Sequence, residues 1–543
     1  MSGMSQMKRR DSLLKELKSS THTFDVVIIG GGITGAGIAR EAAGSGLSTL
    51  LVEQKDFAWG TSSRSSKMVH GGLRYLGSGQ YRLTRNAVTE RQRLMAEAPG
   101  LIEPLRFIMP HFRRQFPGPR LFQILLRVYD WIAHSESRHF LTPSETMQWV
   151  PGLNTTKLTG ASGFTDAVTD DARLVQRVIT EARQDGAWCL NYVKAVDVLR
   201  NNGEVDGLEL QAEDETETFT VNTALVINAT GVWADRLQQP IDGQKPMTIR
   251  PLRGSHLVIP WQKLPVSCSV SLFHPDDKRP VFAFPWAGTT VLGTTDLDHT
   301  ESLDDEPRIA AEEVDYLLRI SSSLFPGAAI SRSDILSTWA GVRPVVTAEP
   351  SGTSSKAPSK ESREHEFRED NGLISIAGGK LTTFRLIARE ALIRGLGSEE
   401  RLRPENDPVF RQTASPQRPG NISHQNWHRL TGFYGSDLGA VMQAGPAEPV
   451  FDDTASVVVP GELLWAEVVW ACKQEDVKHL DDLMLRRTRL GSIVPEGGKA
   501  LLPKLKQHCQ SALGWDDKQW HTEKARYLAI WREAYSLPPR PEQ

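Results

Sequence analysis

Short apolar runs that end in glycine recur along this chain, and the first of them predicts a buried strand followed by a helix. Residues 24–53 read FDVVIIGGGITGAGIAREAAGSGLSTLLVE. Val26–Ile29 is apolar at every position, which is typical of a strand buried on both faces of a parallel sheet. Ala36–Ala43 has a helix-forming composition, and Thr49–Val52 is a second apolar run. The segment therefore predicts a strand–helix–strand unit.

Glycines occupy the turn between the first predicted strand and its helix. Gly30, Gly32 and Gly35 follow the G-x-G-x-x-G spacing, and Glu53 ends the second strand. The first glycine permits the tight turn, the second lets the backbone approach a pyrophosphate, and the third lets the helix pack close to the strand. Glu53 can accept hydrogen bonds from ribose hydroxyls and disfavours a 2′-phosphate. The unit predicts a dinucleotide site and disfavours NADP.

Similar apolar runs lie far downstream. Residues 224–231 read ALVINATG, and residues 372–392 read GLISIAGGKLTTFRLIAREAL, a predicted strand, glycine pair and helix. A helix N-terminus beside an isoalloxazine ring would stabilise negative charge on the reduced ring. A simple NAD enzyme completes its nucleotide domain in one contiguous block, whereas here other material separates the elements. The pattern therefore favours a flavoprotein.

The material between these runs has a different pattern. Residues 280–296, PVFAFPWAGTTVLGTTD, predict two paired strands across a turn at Ala287-Gly288. Residues 398–420 are polar and proline-rich, which is typical of a linker. Beyond them, Leu463–Cys472 and Val477–Thr488 have helical character.

Length and charge narrow the classes of protein. The chain has 543 residues, more than the roughly 250–300 at which a single core stops growing, so it predicts two or three domains. The net charge of −3 gives no general attraction to nucleic acid. We find no apolar run long enough for a spanning helix and no secretory signal. Four scattered cysteines predict no disulfide framework, no metal site and a reducing, cytosolic setting.

Two segments combine basic and apolar residues. Residues 7–20, MKRRDSLLKELKSS, are interpreted first as a solvated tail and, in the alternative, as a weak interfacial anchor that faces anionic lipid. Residues 106–133, RFIMPHFRRQFPGPRLFQILLRVYDWIA, mix arginines with large apolar residues as interfacial segments do. The alternative for this second segment is a buried helix whose arginine side chains extend to solvent.

The chain resembles the FAD-dependent (aerobic, quinone-linked) glycerol-3-phosphate dehydrogenases in a series of strings. In chain order these are GGGITGAGIAREAAGSGL, TSSRSSKMVHGGLRYL, TDDARLV, NATGVWAD, RGSHLVIP, GTTD, AGVRPV and GGKLTTFR. The C-terminal HLDDLMLRRTRLG also resembles the small helical domain of that family. One departure is Phe384, which stands where the family often has tyrosine, whereas Lys380 is retained. The order of the strings extends the resemblance over nearly the whole chain.

The resemblance implies an α/β fold. A discontinuous, Rossmann-like FAD-binding domain would carry an inserted, mostly antiparallel β-sheet substrate domain, and an all-α C-terminal domain would follow. The expected division is a basic N-terminal extension at 1–23, FAD-binding segments at 24–95 and 161–245, an insertion with a membrane-contacting region at 96–160, a substrate-binding domain at 246–345, a mobile loop and last FAD-binding segment at 346–397, a linker at 398–420 and the helical domain at 421–543.

The resemblance also implies the residues that hold FAD, and it implies no metal. The hydroxyls and amides of TSSRSSK would run beside the pyrophosphate, and the Gly71-Gly72 backbone would lie close to the flavin ring. The expected FAD contacts are Gly30, Gly32, Gly35, Glu53, Thr61, Ser62, Ser63, Ser66, Lys67, His70, Gly71, Gly72, Ala229, Thr230, Gly231, Gly378, Gly379, Lys380 and Leu381.

A cluster of cations is expected beyond the flavin, where an arginine would bind a phosphate through two hydrogen bonds and a tyrosine would add a neutral donor. The expected substrate-binding residues are Arg74, Tyr75, His256, Arg343, Arg363, Lys380 and Thr383. For Arg74 and Tyr75 the alternative is an internal salt bridge and simple packing. Arg363 ends a polar loop, residues 347–363, which is interpreted either as closing over substrate or as disordered.

The expected catalytic residues are His256, Arg343 and Lys380. His256 is the favoured general base because an imidazole titrates near working pH. The alternatives are that His256 is an ordinary core histidine, and that Arg343 or an ordered water serves instead.

The reaction implied is oxidation of sn-glycerol 3-phosphate to dihydroxyacetone phosphate by hydride transfer to FAD, with electrons passed to membrane quinone. The implied partners are this substrate, the quinone and the inner-membrane surface, contacted peripherally from the cytoplasm. Nucleic acid is excluded and a homodimer is left open. The alternatives are an oxidase that releases hydrogen peroxide, a relative that oxidises amines or amino acids, and a flavin-binding protein without turnover.

Overall fold

The predicted strand–helix–strand unit forms the centre of a six-stranded sheet. The computed structural model describes residues 9–77, 79–237, 247–347, 365–412, 414, 416–451 and 463–540. In spatial order the strands of this sheet are Glu366–Asp370, Leu373–Ala377, Val226–Asn228, Val26–Ile29, Thr49–Glu53 and Trp188–Asn191. The last five of these run parallel, and the first is antiparallel to its neighbour. Strands far apart in the sequence are therefore neighbours, and the discontinuous nucleotide domain is confirmed.

Two helices that follow strands of this sheet pack directly against each other, and a glycine lies at their contact. Ile33–Gly44 follows the first strand, and Phe384–Leu396 follows the strand Leu373–Ala377. A Cβ at Gly37 would lie 2.6 Å from the ring of Phe384, so the glycine admits the phenyl group between the helices. The aromatic ring at 384 therefore packs in the core, where it is 1% exposed.

A larger, mostly antiparallel sheet forms the second layer. Its main path contains, in spatial order, Leu297–Asp298, Thr248–Pro260, Thr289–Gly293, Pro280–Trp286, Ser269–Phe273, Ile102–Phe112, Leu158–Thr169 and Met68–Val69. Ser337–Thr347 also pairs with Thr248–Pro260, and His139–Leu141 pairs with Leu158–Thr169. Only the contact between Ser269–Phe273 and Ile102–Phe112 is parallel among the described pairs. Segment 96–160, expected as an insertion, thus supplies strands to the same sheet as segment 246–345.

The N-terminal segment packs onto a third, four-stranded sheet. Its strands are Thr23–Phe24, Thr218–Thr223, Glu204–Ala212 and Val193–Asn201. The helix Arg9–Ser19 buries Leu14 and Leu17 in the same apolar cluster as this sheet, and Arg10 donates to the carbonyl of Asn191 at 2.9 Å. The prediction of a solvated tail is wrong for residues 9–19, and these leucines are not available to lipid, because the protein itself covers them.

The remaining elements are helical. The α-helices that accompany the sheets, besides those already given, are Leu73–Gly77, Tyr81–Glu97, Pro119–Ala133, Pro143–Trp149, Asp171–Gln184 and Ala311–Leu324. The C-terminal part contains the α-helices His424–Tyr434, Leu438–Ala444, Trp465–Gln474, Leu490–Ile493, Leu502–Leu513 and Asp517–Ile530, and the π-helices Asp482–Arg487 and Trp531–Tyr535. The predicted α/β class with a helical C-terminal domain is confirmed. Among the described residues, no helix has both the length and the apolar character needed to cross a membrane.

A buried ion pair joins the C-terminal helices to the nucleotide domain. Arg487 donates two hydrogen bonds to Asp56, at 2.7 and 2.8 Å, and Arg486 donates a third. Asp56 is fully buried. Burial raises the pKa of this carboxyl, but the two guanidinium groups outweigh burial and lower it. Asp56 is therefore a carboxylate, and its ion pairs link the nucleotide domain to the C-terminal helices.

Removing one partner of this pair will destabilise the protein. Arg487→Met leaves Asp56 with one cation, and the loss expected for breaking a buried pair is about 3–5 kcal/mol. Chemical denaturation followed by tryptophan fluorescence measures it. Arg394→Met is the control, because that arginine pairs with Glu369 and Glu390 at the surface and exposed pairs contribute about 1 kcal/mol or less. Equal effects of the two variants would contradict the prediction.

Candidate active site

A cavity of about 550 Å³ opens at the carboxyl ends of the parallel strands. This edge of a doubly wound sheet is where ligands bind, because the strand order reverses there. The predicted FAD contacts that line the cavity are Gly30, Gly32, Glu53, Thr61, Ser62, Ala229, Thr230, Gly231, Gly378, Gly379, Lys380 and Leu381. The structure therefore brings together four predicted segments of the chain around one space.

The glycine turn leaves room that a side chain would fill. Gly30 has φ +110°, and a Cβ there would lie 2.6 Å from the carbonyl oxygen of Ala229. A Cβ at Gly35 would overlap the carbonyl oxygen of Gly30, so Gly35 lies in the helix–strand contact and does not line the cavity. Gly30, Gly32, Ile33 and Thr34 line the cavity where the turn meets the helix Ile33–Gly44. This glycine cradle fits the pyrophosphate of FAD, because a helix N-terminus favours a negatively charged group.

Glu53 lies at the cavity wall beside this turn. Its carboxylate accepts the backbone N–H of Gly31 at 2.7 Å and that of Lys55 at 2.9 Å. Burial raises the pKa of the Glu53 carboxyl, and these two N–H groups oppose that rise. The side chain is held at the end of the strand, where a ribose would lie.

The TSSRSSK segment divides between the cavity and the protein interior. Ser62 Oγ accepts the N–H of Ile33 at 2.9 Å, and Thr61 donates to the carbonyl of Val342. Ser65 also lines the cavity, and its hydroxyl donates to Asp171 at 2.7 Å. The segment therefore bridges the nucleotide turn and the large sheet.

Besides Gly35, six predicted FAD contacts lie outside the cavity wall that the described residues form: Ser63, Ser66, Lys67, His70, Gly71 and Gly72. The ammonium group of Lys67 is bonded within the protein, where it donates to Asp171 at 2.7 Å and to the carbonyl of Ser63 at 2.6 Å. It also lies 4.8 Å from the ring centroid of Trp339. Burial lowers the pKa of Lys67 to about 8, helped by Arg489 and opposed by Asp171. The side chain is a buried structural cation.

His256 lies on the large sheet with its imidazole almost completely buried. Its Nε2 lies 2.9 Å from Ser66 Oγ, and its ring stacks on Trp339 at 5.0 Å. Nδ1 is buried and has no hydrogen-bond partner among the described residues. Burial lowers the pKa of His256 well below its usual value, and the charges of Arg343 and Lys67 act in the same direction. A neutral imidazole with an unused nitrogen is able to accept a proton.

Glycines make the space for these side chains. His256 is directly opposite Gly293, and a Cβ at Gly293 would overlap the imidazole. A Cβ at Gly254 would lie 2.5 Å from Nη2 of Arg343, and one at Gly341 would overlap the backbone of Arg64. Because alternate residues of a strand share a face, His256, Arg343 and these glycines form one face of the sheet.

Arg343 is oriented by a buried carboxylate. It donates to Asp296 at 2.9 Å and to Thr294 Oγ1 at 3.3 Å. Its side chain is 25% exposed, whereas that of Asp296 is 1% exposed. The guanidinium group is therefore held from the protein side while part of it reaches the open side.

The loop between Leu373–Ala377 and Phe384–Leu396 faces the segment predicted to project past the flavin. Lys380 Nζ lies 3.5 Å from the ring centroid of Tyr75. Thr382 Oγ1 donates to the carbonyl of His70 at 3.3 Å. Thr383 is half-buried and precedes the helix. The structure thus places Lys380 and Tyr75 side by side, with Lys380 also in the cavity wall.

The side chains of two predicted cations are not described by the structure. Arg363 belongs to residues 348–364, which the structure does not describe, and so does most of the predicted closing loop. For Arg74 the backbone is described within the helix Leu73–Gly77 but the side chain is not. Their roles stay predictions.

Sequence reasoning missed one end of the cavity. Trp59 and Trp233 line it, with ring centroids 5.9 Å apart, and Lys55 Nζ lies 3.7 Å from the Trp59 ring centroid. The other missed lining residues include Gln54, Lys194, Ala195, Val196, Arg236 and Asp304. The two tryptophans lie next to TSSRSSK and within NATGVWAD, so their proximity to predicted cofactor strings was a usable signal. Residues 194–196 carry no motif.

Comparison with family models identifies both parts of the chain. A model described as FAD dependent oxidoreductase matches residues 25–388. A model described as the C-terminal domain of alpha-glycerophosphate oxidase matches residues 376–520. The two matches together span the six-stranded sheet, the large sheet and most of the C-terminal helices.

Curated relatives and a solved structure agree with these models. The chain is 33% identical over 510 residues to the aerobic glycerol-3-phosphate dehydrogenase of Bacillus subtilis, covering 88% of this chain and 89% of that protein. It is 37% identical over 507 residues to that of Staphylococcus saprophyticus, with the same coverage. The crystal structure of the glycerol-3-phosphate dehydrogenase of Bacillus halodurans with FAD superposes with a TM-score of 0.73 at 26% identity, over 98% of this chain and 99% of that one.

The cavity, its glycine cradle and these matches lead to one conclusion. The chain belongs to the FAD-dependent glycerol-3-phosphate dehydrogenase and oxidase family of oxidoreductases.

Proposed function

We propose that this protein oxidises sn-glycerol 3-phosphate to dihydroxyacetone phosphate and passes the electrons to a membrane quinone. The observation that carries the proposal is the shared sheet face of His256 and Arg343, which combines a neutral base with a cation. The pair formed by Lys380 and Tyr75 supplies a second cation from the nucleotide domain. Relatives named glycerol-3-phosphate dehydrogenase support the choice of substrate.

Arg343 and Lys380 bind the phosphate in this proposal. Asp296 holds the guanidinium of Arg343 in one orientation, which suits bidentate contact with phosphate oxygens. Tyr75 adds a phenol beside the Lys380 ammonium, and Arg74, Arg363 and Thr383 are the further predicted contacts. Converging cations repel one another, so a dianionic substrate is the ligand that best offsets their charge.

His256 accepts the hydroxyl proton of the substrate in this proposal. Its depressed pKa keeps the imidazole neutral, and Ser66 and Trp339 hold the ring in place. When bound in the cavity, FAD supplies the acceptor for the two electrons that leave the substrate carbon together with its hydrogen. In this proposal the proton and the electron pair thus go to different acceptors, the imidazole and FAD.

The supporting surface for a membrane acceptor is a helix with exposed apolar side chains. On and just before Pro119–Ala133, Phe116, Ile124 and Trp131 are 80%, 62% and 75% exposed. The exposed arginines of this surface are Arg113, Arg114, Arg120 and Arg127. Apolar side chains among cations fit an anionic lipid surface. We therefore propose peripheral attachment to the cytoplasmic membrane through residues 113–131.

An oxidase is the second candidate. The model that matches residues 376–520 is described from an alpha-glycerophosphate oxidase, and the residues proposed for substrate binding serve either acceptor. The two candidates differ only in whether quinone or O₂ takes the electrons.

Anaerobic addition of glycerol 3-phosphate to the purified holoenzyme tests the substrate. We expect bleaching of the flavin band at about 450 nm, because the oxidised ring is the chromophore. Reoxidation by a quinone analogue, but only slowly by O₂, is expected for the dehydrogenase. Rapid reoxidation by O₂ with peroxide release would favour the oxidase over the dehydrogenase. A flavin that stays oxidised would refute glycerol 3-phosphate as the substrate.

His256→Gln should lower kcat by about 10²–10⁴-fold, the usual contribution of a general base. FAD content should stay unchanged, because the imidazole lies outside the cavity wall. In the unmodified enzyme kcat/KM should fall on the acidic side only below about pH 6.5, the ordinary pKa of histidine. The reason is that the pKa of His256 is lowered, so the imidazole becomes protonated, and inactive as a base, only at lower pH. His111→Gln is the matched control, because His111 is also buried and bonded to a serine hydroxyl, at 2.8 Å. An acidic limb at or above the ordinary histidine pKa would contradict this assignment.

Combined replacement Ile124→Ser and Trp131→Ser should weaken binding to anionic vesicles at least about tenfold, since each buried apolar side chain contributes more than 1 kcal/mol. Co-sedimentation with phosphatidylglycerol vesicles measures it, and high salt should weaken the binding of the unmodified protein. Leu297→Ser removes a 44% exposed leucine at the edge of the large sheet and should change nothing. Unchanged binding by the double variant would exclude this surface.

A further inference from the structure

The carboxylate of Asp166 accepts hydrogen bonds from the segment His70–Tyr75 and from two helices. Oδ1 of Asp166 accepts the backbone N–H of Gly71 at 3.0 Å and the hydroxyl of Tyr129 at 2.7 Å. Arg91 also donates to the same oxygen. Asp166 lies in the strand Leu158–Thr169, Arg91 in the helix Tyr81–Glu97 and Tyr129 in the helix Pro119–Ala133. The arrangement joins the large sheet and two helices to one backbone amide.

The network is buried and leaves no space for a side chain at Gly71. Tyr129 is fully buried, and Asp166 and Arg91 are each 3% exposed. A Cβ at Gly71 would overlap the Tyr129 hydroxyl. Burial raises the pKa of Tyr129 well above its usual value, and the Asp166 charge adds to this, so the phenol stays protonated and donates. Arg91 supplies the positive charge that a buried carboxylate requires.

The same short segment carries contacts to the active site on its other side. The carbonyl of His70 accepts from Thr382, and the ring of Tyr75 lies against Lys380. Gly72 has φ +76°, and its carbonyl accepts from Thr84 at 3.4 Å. The backbone of the segment is therefore bonded to Asp166 and Thr84, and the same segment contacts the loop of Lys380.

We propose that Asp166 and Tyr129 are positioning residues, which hold the segment His70–Tyr75 against the Lys380 loop so that the substrate-binding groups keep their separation. The inference rests on the proposed function for its substrate. Neither residue touches the cavity among the described contacts, so both act through the backbone of Gly71. Tyr129 belongs to the helix whose outer face carries Ile124 and Trp131, so one helix contacts both this segment and the solvent.

Tyr129→Phe tests the proposal because it removes one hydroxyl and keeps the packed ring. Hydrogen exchange of the holoenzyme without substrate is the first readout. The peptide covering residues 68–77 should exchange at least about fivefold faster, since the carboxylate that holds the Gly71 N–H loses a donor that orients it. The second readout is steady-state kinetics, where KM for glycerol 3-phosphate should rise about tenfold and kcat should change less than twofold, because binding groups are displaced while His256 is not.

Tyr434→Phe is the matched control. Tyr434 is also buried, and its hydroxyl donates at 3.1 Å to Glu467, a buried carboxylate that pairs with Arg429. Tyr434 lies in the C-terminal helices, away from residues 68–77. Tyr434→Phe therefore shows how much of the change in exchange and KM a general loss of stability causes. Exchange at 68–77 and a KM equal to those of Tyr434→Phe would overturn the proposal, as would faster exchange with an unchanged KM. If the flavin of the unmodified protein is not reduced by glycerol 3-phosphate, the proposed function fails, and the exchange of peptide 68–77 alone decides whether Tyr129 holds the segment.

Discussion

The close approach of the helix Ile33–Gly44 to its neighbours is the contact on which the nucleotide site depends. At Gly35 the helix lies against the carbonyl of Gly30, and at Gly37 it admits the ring of Phe384. A side chain at either glycine would push the helix away from its strand or from the helix Phe384–Leu396. The two glycine-bearing turns would then separate, and the cavity between Gly30 and Gly378 would lose its shape. Atomic packing at these two glycines, together with the hydrogen bonds of Glu53 and Ser62 to the turn, therefore sets the geometry of the cofactor site.

The face of the large sheet that carries His256 and Arg343 also depends on glycines that leave space for side chains. Gly293 leaves space for the imidazole of His256, and Gly254 leaves space for the guanidinium of Arg343. Asp296 and Trp339 then fix these two groups in orientation. Buried charges elsewhere are paired in the same way, as Arg487 is with Asp56 between the domains. Unpaired buried charge is costly, so pairing keeps the cations in place in the absence of substrate.

Some of this arrangement was predictable from the sequence. The strands Val26–Ile29 and Thr49–Glu53 and the helix between them follow from apolar runs and glycine spacing, which are local properties. The ion pair of Lys67 was not predictable, because its partner Asp171 lies more than a hundred residues away. The packing of Leu14 and Leu17 was not predictable either, since an amphipathic helix has the same sequence pattern whether protein or lipid covers its apolar face. Chain pattern determines which face is apolar and says nothing of what contacts it.

The dinucleotide site follows from the sequence alone, because the G-x-G-x-x-G turn between two apolar strands has a defined local geometry. The sequence also indicates the arginine, lysine and tyrosine side chains that are candidates for binding an anion. The packing of the whole molecule was needed to show that His256 and Arg343 share one face with Gly254 and Gly293. It was also needed to show that Asp166 accepts both the Gly71 N–H and the Tyr129 hydroxyl. These contacts join segments separated by tens to hundreds of residues. Their distances depend on how the sheets and helices pack, and no local pattern contains that information.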